Sequence, residues 1–245
     1  MDRYADRETY RALKNARDLR YFRVTVEETD LLIGASRTLE TEARQSVEAA
    51  RALVTAEIAL RPEFLTSLTP LAPMGDEPPL IRSMLEAGRV AGTGPMAAVA
   101  GAIAEAVGRA LMPRSPNITV ENGGDVFLAG PHSRVVAIAA GKSPISGRLG
   151  IRLHPGDGIS VCTSSGTYGH SLSFGKADAA VAVARDAALA DAVATMLGNK
   201  CISPQELGPA AEWAAALPGM LGAVTVMGDA VAAAGEIELA AIGAE

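Results

Sequence analysis

Cys162 and His170 stand within one short run, GISVCTSSGTYGHSLSFGKAD, beside Thr163, Thr167, Ser164, Ser165, Ser171 and Ser173. A cysteine and a histidine so placed can form a nucleophile–base pair, the thiol attacking while the imidazole takes its proton. Burial as a plain structural thiol is the other fate open to a lone cysteine. His170 lies between Gly169 and Ser171, more polar company than His132 or His154 have. The hydroxyls and glycine of Thr163, Ser164, Ser165 and Gly166 suit another task, the cradling of phosphate oxygens. No Gly-x-Ser-x-Gly occurs, so a serine-hydrolase elbow is excluded.

A second group is ALADAVATML. Asp191 and Thr195 are one helical turn apart, which sets their oxygens over one another on one face. The remaining residues from Ala187 to Leu197 are apolar, so this helix is expected to be buried all round. A carboxylate there needs a cation or several N–H donors. Carboxylate, hydroxyl and water oxygens suit Mg²⁺; an aspartate capping the N–H groups of a neighbouring loop fits the same residues.

Two glycine motifs are weaker. ENGGDV, Glu121–Val126, carries the Asn-Gly signal of a tight hairpin, and Gly123 and Gly124 also permit a ligand close to the backbone. GTGPMA, Gly92–Ala97, matches a dinucleotide fingerprint in letters alone, because a helix rather than a strand is expected before it. What it offers is a helix N-terminus able to hold an anion, or a plain helix–helix connection.

The elements that must position these groups follow from periodicity. LRYFRVTVEETDLLIGAS reads as two strands around a Glu27–Asp30 turn. Leu39, Ala43, Val47, Ala50, Val54 and Ile58 form a helical stripe. A Pro70–Pro79 loop precedes a helix over about 80–91, and Pro95 opens the next, with Met96, Val99, Ile103 and Val107 on one face. NITVENGGDVFLAG predicts a strand pair, and RVVAIAA, RLGIRLH, GISV and ADAAVAVA further strands. Asp186 is the expected N-cap of the Asp191 helix and Gly198 the residue past its end. A helix near 204–216 and a hairpin close the chain, which shows no internal sequence repeat. Long helices mixed with meandering strands predict α+β architecture in one domain over residues 1–245.

Composition excludes several classes. The chain has 245 residues, 49% apolar and only 4% aromatic, so its core must be built from Ala, Val, Leu and Ile. With net charge −6 and no basic stripe, no nucleic-acid partner is expected. No apolar run reaches a membrane span and the N-terminus lacks a signal core, which predicts no membrane partner and a cytoplasmic location. Cys162 and Cys201, belonging to no CxxC, are expected to be reduced.

Taken in order, GPMAAVAGAIAEAVG, VENGGDVFLAG, CTSSGTYGHSLSFGKADA and LADAVATMLGN resemble the ApbE-like proteins, in particular a shorter branch of that superfamily. ETYR and TDLLIGA extend the resemblance over nearly the whole chain. It implies an ApbE-like, T-fold-like α+β domain. The better-known relatives are flavin transferases that use FAD and Mg²⁺ to attach FMN to a threonine. Their Gly-Gly-Asp segment resembles Gly123, Gly124 and Asp125, and their Thr-Ser-Gly loop resembles Thr163, Ser164, Ser165 and Gly166. Their following histidine is similar to His170. The resemblance implies metal ligands at Asp191, Thr195 and the carbonyl near Ala97.

The chain departs from the transferases in two places. Ala98 and Val99 replace a Lys-Gly, and HSLSFGKAD replaces a His-x-x-Asp-Pro run. These departures predict weak FAD affinity and no FMN transfer. The expected ligand is phosphate-bearing, a flavin or a nucleotide, bound with Mg²⁺ between the Gly123–Asp125 turn, the Cys162–His170 loop and the Asp191 helix. Two alternatives stand beside it: a thiol-dependent accessory enzyme of sulfur assimilation using Cys162, and a non-catalytic dimeric binding protein; a homodimer is expected under each reading.

Overall fold

β1 (Arg20–Val26) and β2 (Thr29–Ala35) pair antiparallel, with Val24, Leu31, Ile33 and Ala35 buried. The computed structural model describes residues 18–166 and 174–243. ETYR, Thr167, His170, Ser171 and Ser173 therefore lie outside the described residues.

The predicted stripe becomes α1 (Glu40–Leu60), which buries Ala43, Val47, Ala50 and Val54. A short α2 (Glu63–Thr66) and the proline-rich loop lead into α3 (Pro79–Ala91), closed by Gly92 in the left-handed region, φ 78°. Pro95 opens a 3₁₀ turn, Pro95–Ala98, and α4 (Val99–Leu111) starts behind it, burying Ile103, Val107 and Leu111. A helix, not a strand, does precede the GTGPMA glycines.

β3 (Ile118–Asn122) and β4 (Asp125–Gly130) form the predicted hairpin. Its two turn residues, Gly123 and Gly124, have φ of 66° and 116°, which side chains resist and which explains the glycines without any ligand. Then come β5 (Arg134–Ala137), β6 (Leu149–Leu153), β7 (Gly156–Ser164) and β8 (Ala179–Ala184). α5 (Ala187–Lys200), α6 (Leu207–Ala215), β9 (Met220–Met227), β10 (Ala230–Gly235) and β11 (Glu238–Ala241) complete the order.

Eight strands make one antiparallel sheet in the order β1-β2-β3-β4-β7-β8-β9-β10, and β11-β6-β5 a second, smaller one. The α+β expectation is met. Although no repeat is visible in the letters, the topology repeats: two strands, helices, two strands, first through β4 and again from β7. Helices cover one face of the large sheet. The small sheet covers part of the other, where Val126, Leu128, Ile159, Val161 and Val181 meet Val136, Ile138 and Ile151. Among the described residues no single helix is long and apolar enough to cross a membrane.

Two local expectations are corrected. Cys162, Thr163 and Ser164 belong to β7 rather than to a loop, because Ile159 and Val161 continue the strand's buried alternation into them. Gly198 lies inside α5, which runs on to Lys200. A Cβ on Gly198 would make ordinary contacts, 3.4 Å to Ser164 Oγ and 3.6 Å to the Cβ of Ala180, so Gly198 faces the sheet from within the helix rather than ending it.

Candidate functional site

The site begins where α4 meets α5. Gly101 stands at their contact, and a Cβ there would run into the Ala187 carbonyl oxygen and approach the Asp191 Cβ to 2.9 Å. With no side chain in the way, the Gly101 N–H donates to Asp191 Oδ2 at 2.9 Å. Gly101 lies in the first turn of α4, where N–H groups lack partners within the helix. The Asp191 carboxylate thus takes the place at the start of α4 that the sequence left open to an anion. Asp191 does cap N–H groups, though those of a helix's first turn and not of the loop that was expected.

The other carboxylate comes from the hairpin. Asp125 follows the Gly123–Gly124 turn and accepts the Thr163 N–H on Oδ1 at 3.2 Å, which ties β4 to β7. Within the same turn Glu121 Oε1 accepts the Gly124 N–H at 3.1 Å, and the Asn122 amide donates to the Ala100 carbonyl at 3.0 Å. The hairpin therefore also steadies the α4 segment that caps Asp191.

Asp125 and Asp191 border one cavity of about 270 Å³, at the small end for a ligand pocket. Ala97, Thr195 and Asn199 share its wall, so Asp191, Thr195 and Asn199 mark one face of α5 at successive turns. This corrects the expectation of a helix buried all round: Asp191, Thr195 and Met196 are half-buried on the cavity side. Apolar walls come from Leu65, Leu68, Met96, Val99 and Phe174, and no Lys, Arg or His is among the described lining residues.

Burial, and next the charge of Asp125, push the Asp191 carboxyl well above its usual range, against the lowering effect of the Gly101 and Ala100 N–H groups. Asp125 and Asp191 bring two carboxylates to one cavity whose described lining holds no basic side chain, and a hard cation with oxygen ligands suits such a donor set. Among the described residues no three His, Cys, Asp or Glu side chains converge on a metal position. The oxygens available are those of Asp125, Asp191, Thr195, backbone and water.

Cys162 is fully buried and donates its S–H to the Ala187 carbonyl at 3.6 Å. Burial, then the charges of Asp125 and Asp191, push its thiol well above the usual range. A nucleophilic cysteine needs the opposite, a thiolate favoured by positive surroundings. Cys162 has the environment of a structural thiol. Cys201 is also buried and free, its thiol pushed up to about 11 by burial.

Of the sequence-predicted ligand residues, Asp125 borders the cavity, as do Ala97, Asp191 and Thr195. Gly123, Gly124, Thr163, Ser164, Ser165 and Gly166 are not on its wall. Thr163 alternates with Cys162 along β7, so their side chains leave opposite faces. Ser164 is buried against Gly198 with its hydroxyl oxygen unpartnered. Among the described residues, the segment around Leu65–Leu68, the residues Thr93, Gly94, Met96, Ala97, Val99 and Ala100, and Phe174 complete the enclosure, and His170 lies outside the described residues. Asn199 was legible as one more polar residue at helical spacing from Asp191 and Thr195. Leu65 and Leu68 had no such signal.

Comparison with known proteins gives a consistent assignment. The family model described as AbpE bacteria matches residues 11–218. A UPF0280 protein of Methanocella arvoryzae is 38% identical over 214 residues, 86% of this chain and 87% of that one. A UPF0280 protein of Methanococcus aeolicus is 49% identical over 142 residues, 56% of this chain and 57% of that one. Among solved structures, the flavin transferase ApbE from Vibrio cholerae covers 92% of this chain and 97% of its own, with TM-score 0.57 and 11% identity. That likeness establishes the fold.

Proposed function

Because the chain belongs to the AbpE bacteria family and has the fold of an ApbE flavin transferase, we propose that it binds a phosphate-bearing flavin or nucleotide, with Mg²⁺, in the Asp125–Asp191 cavity. One observation carries this reading: two carboxylates and the Thr195 hydroxyl border a cavity that has apolar walls and no basic side chain among its described lining. A phosphate entering alone would meet repulsion. Bridged by a divalent cation it would meet attraction.

Asp191, Thr195 and the backbone at Ala97 are the groups that would hold the cation, with Asp125 beside them. Bound Mg²⁺ supplies charge that orients and polarises phosphate oxygens. The chain's own contributions are distinct. Gly101 and Ala100 hold Asp191 in place, Thr163 holds Asp125, and Met96, Val99 and Phe174 exclude water from the apolar part of the ligand. Met96 and Val99 make the wall apolar there. The small volume favours a mononucleotide-sized moiety over FAD.

Thermal unfolding in MgCl₂ with FMN, ADP or FAD tests the reading. Mg²⁺ is expected to raise Tm, FMN or ADP to raise it further only when Mg²⁺ is present, and FAD to add little. Stabilisation follows the logarithm of ligand concentration above Kd. Asp191→Asn keeps the shape and an acceptor for Gly101 but removes the charge, so the Mg²⁺ response should disappear. Equal indifference of wild type and Asp191→Asn to Mg²⁺ would end the cation reading.

A further inference from the structure

Glu105 touches neither the cavity nor its ligand groups, yet it is bound into the helix contact that carries Asp191. Its Oε2 accepts the Ala187 N–H at 2.7 Å, and its Oε1 accepts the Arg109 Nε at 2.6 Å. The side chain is only 16% exposed. Ala187 is the first residue of α5, so its N–H has no partner in its own helix. One turn further along α5, Asp191 accepts the Gly101 N–H from the first turn of α4. Each helix therefore has an N-terminal N–H satisfied by a carboxylate of the other.

Helix initiation does not require Glu105. Asp186 already caps α5 locally, accepting the Leu189 N–H on Oδ1 at 2.9 Å. What Glu105 adds is a tie between elements far apart in sequence. Ala187 is also held from its other side, because its carbonyl accepts the Cys162 S–H. The first turn of α5 is thus gripped by α4 through its N–H and by β7 through its carbonyl. Asp191 rises from the next turn.

We propose that Glu105 is a positioning residue of the site: by pinning Ala187 to α4 it sets where Asp191 stands, both against Gly101 and along the cavity wall. The structural part stands on the hydrogen bonds alone, and the functional part rests on the reading of the cavity as a cation-dependent site. Loss of the tie lets α5 slide on the small surface of Gly101, and the Gly101–Asp191 bond loosens with it. Arg109 is the control, because its removal leaves the Glu105–Ala187 bond in place.

The experiment compares the full chain with Glu105→Ala, Glu105→Gln and Arg109→Ala by two readouts. The first is NMR hydrogen exchange of the Gly101 amide against that of Val107 in the same helix, which needs no metal. The second is the MgCl₂ midpoint of the Tm rise. Glu105→Ala should speed Gly101 exchange about tenfold relative to Val107 and raise the Mg²⁺ midpoint about tenfold, the scale of one lost charged hydrogen bond. Glu105→Gln, which keeps an acceptor, should recover most of both, and Arg109→Ala should match wild type. An unchanged Gly101 amide in Glu105→Ala overturns the positioning role whatever Mg²⁺ does. Altered Gly101 exchange with an unchanged Mg²⁺ midpoint overturns the functional part. A wild-type chain indifferent to Mg²⁺, with Gly101 still responding, overturns the cation reading and upholds the positioning. Should Glu105→Ala fail to fold, Glu105→Asp, which withdraws the carboxylate by one methylene, is judged by the same outcomes.

Discussion

The two halves of the large sheet, β1–β4 and β7–β10, share a connection pattern but are filled differently. Under the first half Leu31, Ile33, Leu39, Leu111, Ile118, Val120 and Phe127 form a core of large side chains with α1 and α4. Under the second, α5 and α6 lie on Ala180, Ala182, Ala184 and Ala223 through alanines of their own, among them Ala188, Ala190, Ala192 and Ala194. Small residues bring backbones close, and close backbones let short polar side chains reach N–H groups of the next element. Cys162, Ser160, Ser164 and Thr225 are buried in that second half. The first half is packed by bulk, while the second is packed by proximity, and the cavity carboxylates sit where they join.

The sharpest way to break the contrast is to remove bulk from the first half. Phe127 is wholly buried there, with the Arg109 guanidinium 5.4 Å from its ring centre. Phe127→Ala should cost about 3–5 kcal/mol in urea denaturation. A cost under about 1.5 kcal/mol would mean that large side chains do not carry that half.

The complementary change adds bulk to the close contact. Gly101→Ala places a methyl against the Ala187 carbonyl, which is backbone and cannot rotate away. A loss of about 1–3 kcal/mol is expected, together with loss of the Mg²⁺ response. Gly34→Ala in the first half meets side chains, Thr119 Oγ1 and the Tyr21 ring at 2.7 Å, which can move, so it should cost less. The reverse order would show that proximity is not what α5 depends on.

Charge sharpens the comparison further. Asp191 has a folded-state pKa raised above its unfolded value, so the folded chain binds the extra proton and stability falls as pH rises from about 4 through the raised value. Without metal, Tm should fall by about 2–4 °C per pH unit over that window. Asp191→Asn should flatten the slope, and saturating Mg²⁺ should do the same in wild type by favouring the ionised form. A metal-free Tm that rises with pH in wild type alone would reverse the assigned direction. The smallest effect belongs to Cys162→Ser, where a hydroxyl can still donate to the Ala187 carbonyl. Its cost should be about 1 kcal/mol in the same denaturation assay, and a variant that does not fold would make the sulfur itself indispensable to the core.

The elements of this architecture were legible because each rests on local chemistry: the Asn-Gly turn, the alternation of β8, the capping aspartate Asp186. Asp191 and Thr195 were legible for the same reason, since helical spacing alone sets them on one face. The partners were not. Nothing near Leu65 or Phe174 in the chain indicates that they meet across a cavity, and Glu105 reads as an ordinary surface charge four residues before Arg109. Cys162 appeared reactive beside serines and threonines, yet burial of its strand outweighs that company. The phosphate cradle expected of Thr163–Gly166 did not account for β7 continuing through Ser164.

The chain path between paired strands also sets an order of assembly. To close β2 on β3 the chain must return from Ala35 to Ile118, whereas β8 meets β9 after only Ala184 to Met220. Shorter loops close at lower entropic cost, so the alanine-rich half is expected to acquire its hydrogen bonds first and to present Asp191 before Asp125 has arrived. Pulse-labelled exchange during refolding would show this as earlier protection of Val181 and Val183 than of Ile33 and Val120; simultaneous protection would mean that the halves condense together. The cavity, having one carboxylate from each half, then becomes a late product of folding, and a cation that bridges it would slow unfolding more than it hastens folding.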